Sequence, residues 1–251
     1  MSNWVFLRGL MREQRHWDAF PGVFRAAVPD AHIVTPDLPG NGQRHAMASA
    51  QRVADMVEFC RRDLAERGCA APYHLLALSL GGMLAVEWAA RYPQEIAALV
   101  LINTSMRPFS PFYRRLRWQN YAALVALAAL GGLARQEALI LRLTSSADDG
   151  RAPLLPRWIA YQREYPVTRA NALRQLLSAA RYRAPARRPA APVLVLASRA
   201  DRLVDASCSL RLAAHWRAAC ALHPDAGHDL PLDDGAWVAA QVAQWLHPGN
   251  M

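Results

Sequence analysis

Lysine is absent from this chain. All 29 basic residues are arginine, set against 20 acids, for a formal net charge of +9 over 251 residues. Codon bias in a GC-rich genome would enrich arginine and alanine everywhere, so the position of the excess says more than its size. Between Arg107 and Arg183 there are 13 arginines and only 4 acids (Glu137, Asp148, Asp149 and Glu164), which accounts for the entire excess; the rest of the chain balances. Cysteine is scarce: Cys60, Cys69, Cys208 and Cys220 are too few and too scattered for a disulfide scaffold, and no pair has zinc or redox spacing. A reducing cytoplasm is the expected setting. Long apolar runs are also missing. The longest, Tyr121 to Leu133, falls short of the roughly 18 residues of a membrane span and is expected to form a buried or interfacial helix. The early run Trp4 to Leu7 stops at Arg8, without the apolar region of a secretion signal. No metal is expected, because His215, His223 and His228 lack ligand spacing, and no cofactor motif is present. What the chain does have is 53% apolar and 20% charged residues, enough to bury a sizeable core and too much to be disordered or fibrous.

Apolar runs at Asn3–Leu7, His32–Thr35, Tyr73–Ala77, Ala98–Ile102, Val193–Ala197 and Ala219–His223 predict strands covered on both faces. They alternate with helical patterns near His16–Ala26, Ala50–Arg67, Gly81–Arg91, Asp205–Arg217 and Asp233–Trp245. That rhythm predicts an α/β fold with a mostly parallel, doubly wound sheet flanked by helices. It breaks after Ile102. Residues 107–185 show helical stretches punctuated by proline and glycine, a helical insertion dividing a core of residues 1–106 and 186–251.

The run Ala77-Leu78-Ser79-Leu80-Gly81-Gly82 sets a serine between an apolar strand and an amphipathic helix, the context of a nucleophile elbow. Strand and helix pass so closely there that the positions two before and two after the serine must be small, as Ala77 and Gly81 are. The same serine could instead be a plain helix N-cap. As a nucleophile it needs a base, and the base needs a carboxylate, in the chain order Ser, Asp, His. Asp201 follows the strand Val193–Ala197, and His228 lies in a glycine-bearing loop after the next strand. Asp205 is the competing carboxylate but looks like a helix N-cap; His223 competes as base but sits at a strand end before Pro224; His74 lies within a strand. Two backbone N–H groups should receive the developing oxyanion. Leu80 follows the nucleophile, and Leu10 is the candidate from the loop after the first strand, where Gly9 permits close approach.

On these motifs, with Asp37-Leu38-Pro39-Gly40-Asn41-Gly42 and Arg8-Gly9 with Trp17 downstream, the chain resembles the α/β-hydrolase superfamily along essentially its whole length. Ser-Leu-Gly-Gly, the chain length and the insertion make it similar to small carboxylesterases such as the pimeloyl-carrier-protein methyl ester esterases. The resemblance implies a serine esterase with a Ser79–His228–Asp201 triad and an acyl-enzyme. It also implies that residues 107–185 form a cap that selects substrate. A C–C bond hydrolase or acyltransferase would keep the same triad, and a non-catalytic binding protein the same scaffold. Arg8 stands where a histidine is usual; it could bind a substrate carboxylate or pair with Glu13 or another acid. Tyr121 and Leu124 are candidates to line an acyl pocket. Arg114, Arg115, Arg117, Arg135, Arg142, Arg157 and Arg163 could face outward and attract an acidic acyl carrier protein or coenzyme A, or simply form a solvated face. Nucleic acid is not expected, and the Gly40-Asn41-Gly42 turn is read as structural.

Overall fold

The computed structural model describes residues 1–129, 132–146 and 151–247. Six strands form one parallel sheet: β1 (Ser2–Leu7), β2 (Ala31–Val34), β3 (Tyr73–Leu78), β4 (Ile96–Ile102), β5 (Val193–Ser198) and β6 (Ala219–His223), in spatial order β2-β1-β3-β4-β5-β6. Side-chain alternation gives the sheet two apolar faces. Val5, Leu7, Leu75, Ala77, Leu99 and Leu101 pack towards α2 (Val53–Glu66), α3 (Leu80–Arg91) and α9 (Ser207–Trp216). Trp4, Phe6, Leu76, Leu78, Val100 and Ile102 pack towards α1 (Phe20–Ala27) and α11 (Gly235–Leu246), where Phe20, Phe24, Val238 and Val242 complete the layer. These are the two layers that continuous apolar strands require. The two edge strands are less covered: β6 leaves Ala219 and Cys220 exposed, and β2 leaves His32 exposed. All four cysteines are free.

The chain winds outward from β1 to β2, then crosses back to β3, so the strand order reverses between β1 and β3. Loops leaving neighbouring strands part at such a reversal and open a crevice at the carboxyl edge. The loop after β1 begins at Arg8 and the turn after β3 is Ser79, so both border that crevice.

Between β4 and β5 the chain is helical: α4 (Phe112–Arg115), α5 (Tyr121–Ala129), α6 (Leu133–Thr144), α7 (Arg151–Glu164) and α8 (Arg169–Arg181). The Tyr121–Leu133 run is thus not one helix. Its described side chains are also less buried than expected, with Tyr121 37% and Val125 69% exposed; residues 130 and 131 of the run lie outside the described residues. The His16–Ala26 stretch likewise divides. Glu13 caps a 3-10 turn at Gln14–Trp17, Asp18 takes a positive φ, and α1 restarts at Phe20 with Pro21 in its first turn. A short α10 (Leu230–Asp233) precedes α11, whose first turn is capped by Asp234 accepting from the Trp237 N–H.

Candidate active site

Ser79 occupies the sharp turn from β3 into α3 with φ 58° and ψ −114°, a backbone that non-glycine residues rarely adopt. Its side chain makes no capping bond to α3, which argues against a plain N-cap. The turn is clamped from outside: the Ser79 N–H donates to Ile102 O (2.9 Å) and the Thr104 hydroxyl donates to Ser79 O (2.8 Å). The glycines after it are dictated by proximity. A Cβ on Gly81 would fall on the Leu7 carbonyl, and one on Gly82 would stand 2.6 Å from Thr104 Oγ1. Gly9 closes the other side, since a Cβ there would sit 3.3 Å from Ser79 Cβ. The loop carrying Leu10 therefore runs directly past the serine. Leu80, buried, opens α3, and Leu10 packs its side chain against the core.

Asp201 and His228 meet. His228 Nδ1 lies 2.7 Å from Asp201 Oδ2 and both residues are buried. The other carboxylate oxygen accepts the N–H groups of Leu203 and Val204 at 2.8 and 2.9 Å, which orients Asp201 and satisfies it. A carboxylate on Nδ1 fixes the proton there and leaves Nε2 free to take one. Burial works against the imidazolium, but the charge and hydrogen bond of Asp201, helped by Asp229, outweigh it and raise the His228 pKa above its ordinary value.

The competitors are otherwise engaged. Asp205 accepts the Ser207 N–H at 2.9 Å, in a local turn at the start of α9. His223 places Nε2 3.2 Å from Asp234 Oδ2 and accepts the Asp225 and Ala226 N–H groups at Nδ1. His74 stacks on Trp4, and burial lowers its pKa.

Arg8 is buried and gives both terminal nitrogens to Asp229, the neighbour of His228, with Nη1 to Oδ1 at 3.1 Å. Glu13 is not its partner, being held by Arg15 at 2.6 Å. Tyr121 and the half-buried Leu124 stand in the first turns of α5, just after the turn that Arg117 and Asn120 fasten to the Asp201 loop. Arg117 Nη1 donates to Asp201 O (2.7 Å) and Asn120 Nδ2 donates to Arg202 O (2.6 Å). This corrects the outward placement of several arginines. Arg114 bonds Ser207 Oγ and Arg115 bonds the Ala179 and Ala180 carbonyls, both half-buried, whereas Arg135, Arg142, Arg163 and Arg157, which pairs with Asp18 at the surface, are exposed. A groove of about 480 Å³ beside Arg52, Glu87 and Ser178 contains none of the expected site residues. Among the described residues no cluster of His, Cys, Asp or Glu could hold a metal ion, and no helix is long and apolar enough to cross a membrane.

The profile of the alpha/beta hydrolase family matches residues 4–241. The chain belongs to the α/β-hydrolase family. It is 32% identical over 120 residues to a pimeloyl-[acyl-carrier protein] methyl ester esterase of Chromobacterium violaceum, a match covering 45% of this chain and 42% of that protein, less than half its length. It is 30% identical over 218 residues to a Cronobacter turicensis relative named as a carbamate hydrolase, RutD, covering 83% of this chain and 76% of the relative. Among solved structures, a Pseudomonas aeruginosa hydrolase superposes with a TM-score of 0.79 at 21% identity, over 98% of this chain and 90% of that one. At that identity the likeness speaks for the fold alone.

Several residues of this α/β hydrolase that organise the site gave no sequence signal. Asn103, at φ 45° just past β4, accepts the Ser198 N–H (2.8 Å) and donates to Ser198 Oγ, Gly227 O and His228 O, tying the ends of β4 and β5 to the histidine loop. Asp233 accepts from the Gly227 and Ser146 N–H groups at 2.7 and 2.9 Å, and the Asp229 N–H donates to Thr144 O at 2.7 Å, so the end of α6 is fastened to the same loop. Gln175 of α8 accepts the Met11 N–H at 2.9 Å. A polar residue in a loop or a helical pattern reads as solvated surface until its burial is known, which is why these were missed.

Proposed function

We propose that the protein is a serine esterase that cleaves a carboxylic ester or thioester by way of an acyl-enzyme on Ser79. The observation that carries this reading is the strained serine at the mouth of α3, whose side chain caps nothing and lies against the Gly9 loop. A hydroxyl held in that backbone has no structural task that alanine would fail. His228 Nε2 takes the Ser79 proton as Oγ attacks the carbonyl carbon, and Asp201 holds the imidazole and balances its charge. The carbonyl oxygen becomes an oxyanion received by the N–H groups of Leu10 and Leu80, with the N-terminus of α3 behind it. The leaving alcohol or thiol departs with the proton carried by His228, and water then hydrolyses the acyl-enzyme by the same route. In this reading Arg8 braces the histidine loop through Asp229, residues 107–185 act as a cap, and Tyr121 and Leu124 line the acyl path. We further propose that the acyl group is borne by an acidic carrier protein or coenzyme A. The basic bias of residues 107–183 and the name of the Chromobacterium violaceum relative support that choice.

The deciding experiment is labelling with a fluorophosphonate alongside turnover of short-chain activated esters. Wild-type protein labels at Ser79 and turns over; Ser79→Ala does neither. Undiminished labelling of the variant removes Ser79 from its role, and a wild-type chain that never labels favours a binding protein on the same scaffold.

A further inference from the structure

The loop after β1 has little regular structure of its own, yet it carries the N–H that the esterase mechanism needs. Its path is fixed from outside at three points. Arg8 is held by Asp229 beside the histidine, Met11 by Gln175, and Arg12 by Glu137 of α6 at 3.0 Å. Two of the three anchors therefore come from the helical segment between β4 and β5. Met11 is the exacting one, because it takes a φ of 56°, the left-handed region that a side chain disfavours. Without a bond on its N–H, nothing in the residue itself holds the Leu10–Met11 peptide plane in that orientation. A rotation there swings the preceding Gly9–Leu10 plane, whose N–H must face the ester oxygen.

Gln175 is suited to this task beyond simply being near. It is completely buried. Its Nε2 donates to Asn41 Oδ1 (2.8 Å) and to Ser49 Oγ (3.0 Å), while the Ser49 hydroxyl itself donates to Pro39 O. Ser49 can thus only accept from the amide, so the amide cannot turn over, and Oε1 must face Met11. A residue that merely filled the space would not need both ends of an amide in one orientation.

We infer that Gln175 is a positioning residue for acyl transfer, which through the Met11 N–H holds the Leu10 N–H where the oxyanion forms. The inference rests on the serine-esterase reading above. Gln175→Met keeps the volume and removes the acceptor. With active sites counted by end-point fluorophosphonate labelling, its kcat per labelled serine should fall about 10- to 100-fold while KM moves less than about 3-fold, the pattern of an interaction made in the transition state. Affinity for a trifluoromethyl ketone, whose adduct places an oxyanion in the same position, should fall by a similar factor. Ser49→Ala is the comparison: it strips a different bond from the same amide but leaves the Met11 acceptor in place, so it should lower Tm and cost kcat clearly less than Gln175→Met does. If Gln175→Met does not accumulate as folded protein, Gln175→Asn, one methylene too short to reach Met11, gives the same reading. Unchanged kcat per labelled serine, a rise in KM alone, or an equal loss of kcat in Ser49→Ala would overturn the assignment while leaving the triad standing. Failure of wild-type Ser79 to label would overturn both.

Discussion

His228 carries the acid limb of the proposed reaction, because only its neutral form can accept the Ser79 proton. Burial alone would push its pKa down; the Asp201 charge and hydrogen bond win, and the value lies above the ordinary 6.5. The expected kcat/KM for an uncharged ester therefore climbs with pH through a midpoint above about 6.5. In Asp201→Asn burial is no longer outweighed, so the midpoint moves down, and kcat drops by about 10⁴-fold because the tautomer is no longer enforced. A pH–rate profile of both proteins decides this, and an unshifted midpoint would detach Asp201 from the histidine. The sign for stability is separate. A raised folded-state pKa contributes stability below the unfolded pKa, and that contribution is lost as pH rises through the folded value. The sharp turn at Ser79 and the meeting of Asp201 with His228 were legible in the sequence, because their neighbours (small residues about an elbow, a strand end before an acid, a glycine beside a histidine) are themselves constrained. Asn103 was not legible, because its work lies in which four backbone and side-chain atoms surround it, and adjacency in sequence says nothing of that.

Between elements, the Arg8–Asp229 pair joins the end of β1 to the loop before α10 in the protein interior. Two buried charges gain little net stability together, but removing one leaves the other without solvent or partner. Arg8→Met should therefore destabilise the protein by roughly 3–5 kcal/mol in urea denaturation, and Arg8→Met with Asp229→Leu should recover most of that loss. A double variant no more stable than the single would show that Arg8 is held chiefly by its packing over Trp17, 4.6 Å from guanidinium carbon to ring centroid. The strands of this fold were legible as elements, since continuous apolar runs have few alternatives. The division of residues 14–27 was not, because the break depends on Glu13 reaching forward to cap a 3-10 turn and on Asp18 at positive φ, neither of which disturbs the apolar spacing.

Over the whole molecule, the charge excess and the helical segment coincide in sequence, but the structure divides those arginines between two tasks. Arg114 and Arg117 spend donors on the stretch after β5, with Arg117 holding the carbonyl of Asp201 itself, and Arg115 spends its own on the end of α8. Composition could locate the excess; it could not say which guanidinium groups remain for a partner. Arg135 and Arg142, exposed and two helical turns apart on α6, remain available on one face. If that face receives an acidic acyl carrier, Arg135→Glu with Arg142→Glu should raise KM for a carrier-borne ester by about 10-fold or more. KM for the same acyl group on a small alcohol should stay as it was, because a rim charge steers encounter and leaves the reacting atoms alone. Raising salt from about 50 to 500 mM should weaken the wild-type carrier reaction and barely alter the double variant, since a screened attraction cannot be removed twice. Steady-state kinetics on the paired substrates at both salt concentrations separates the outcomes: a KM that shifts equally for carrier and free ester places these arginines in the acyl path, and no shift for either leaves them as a solvated face.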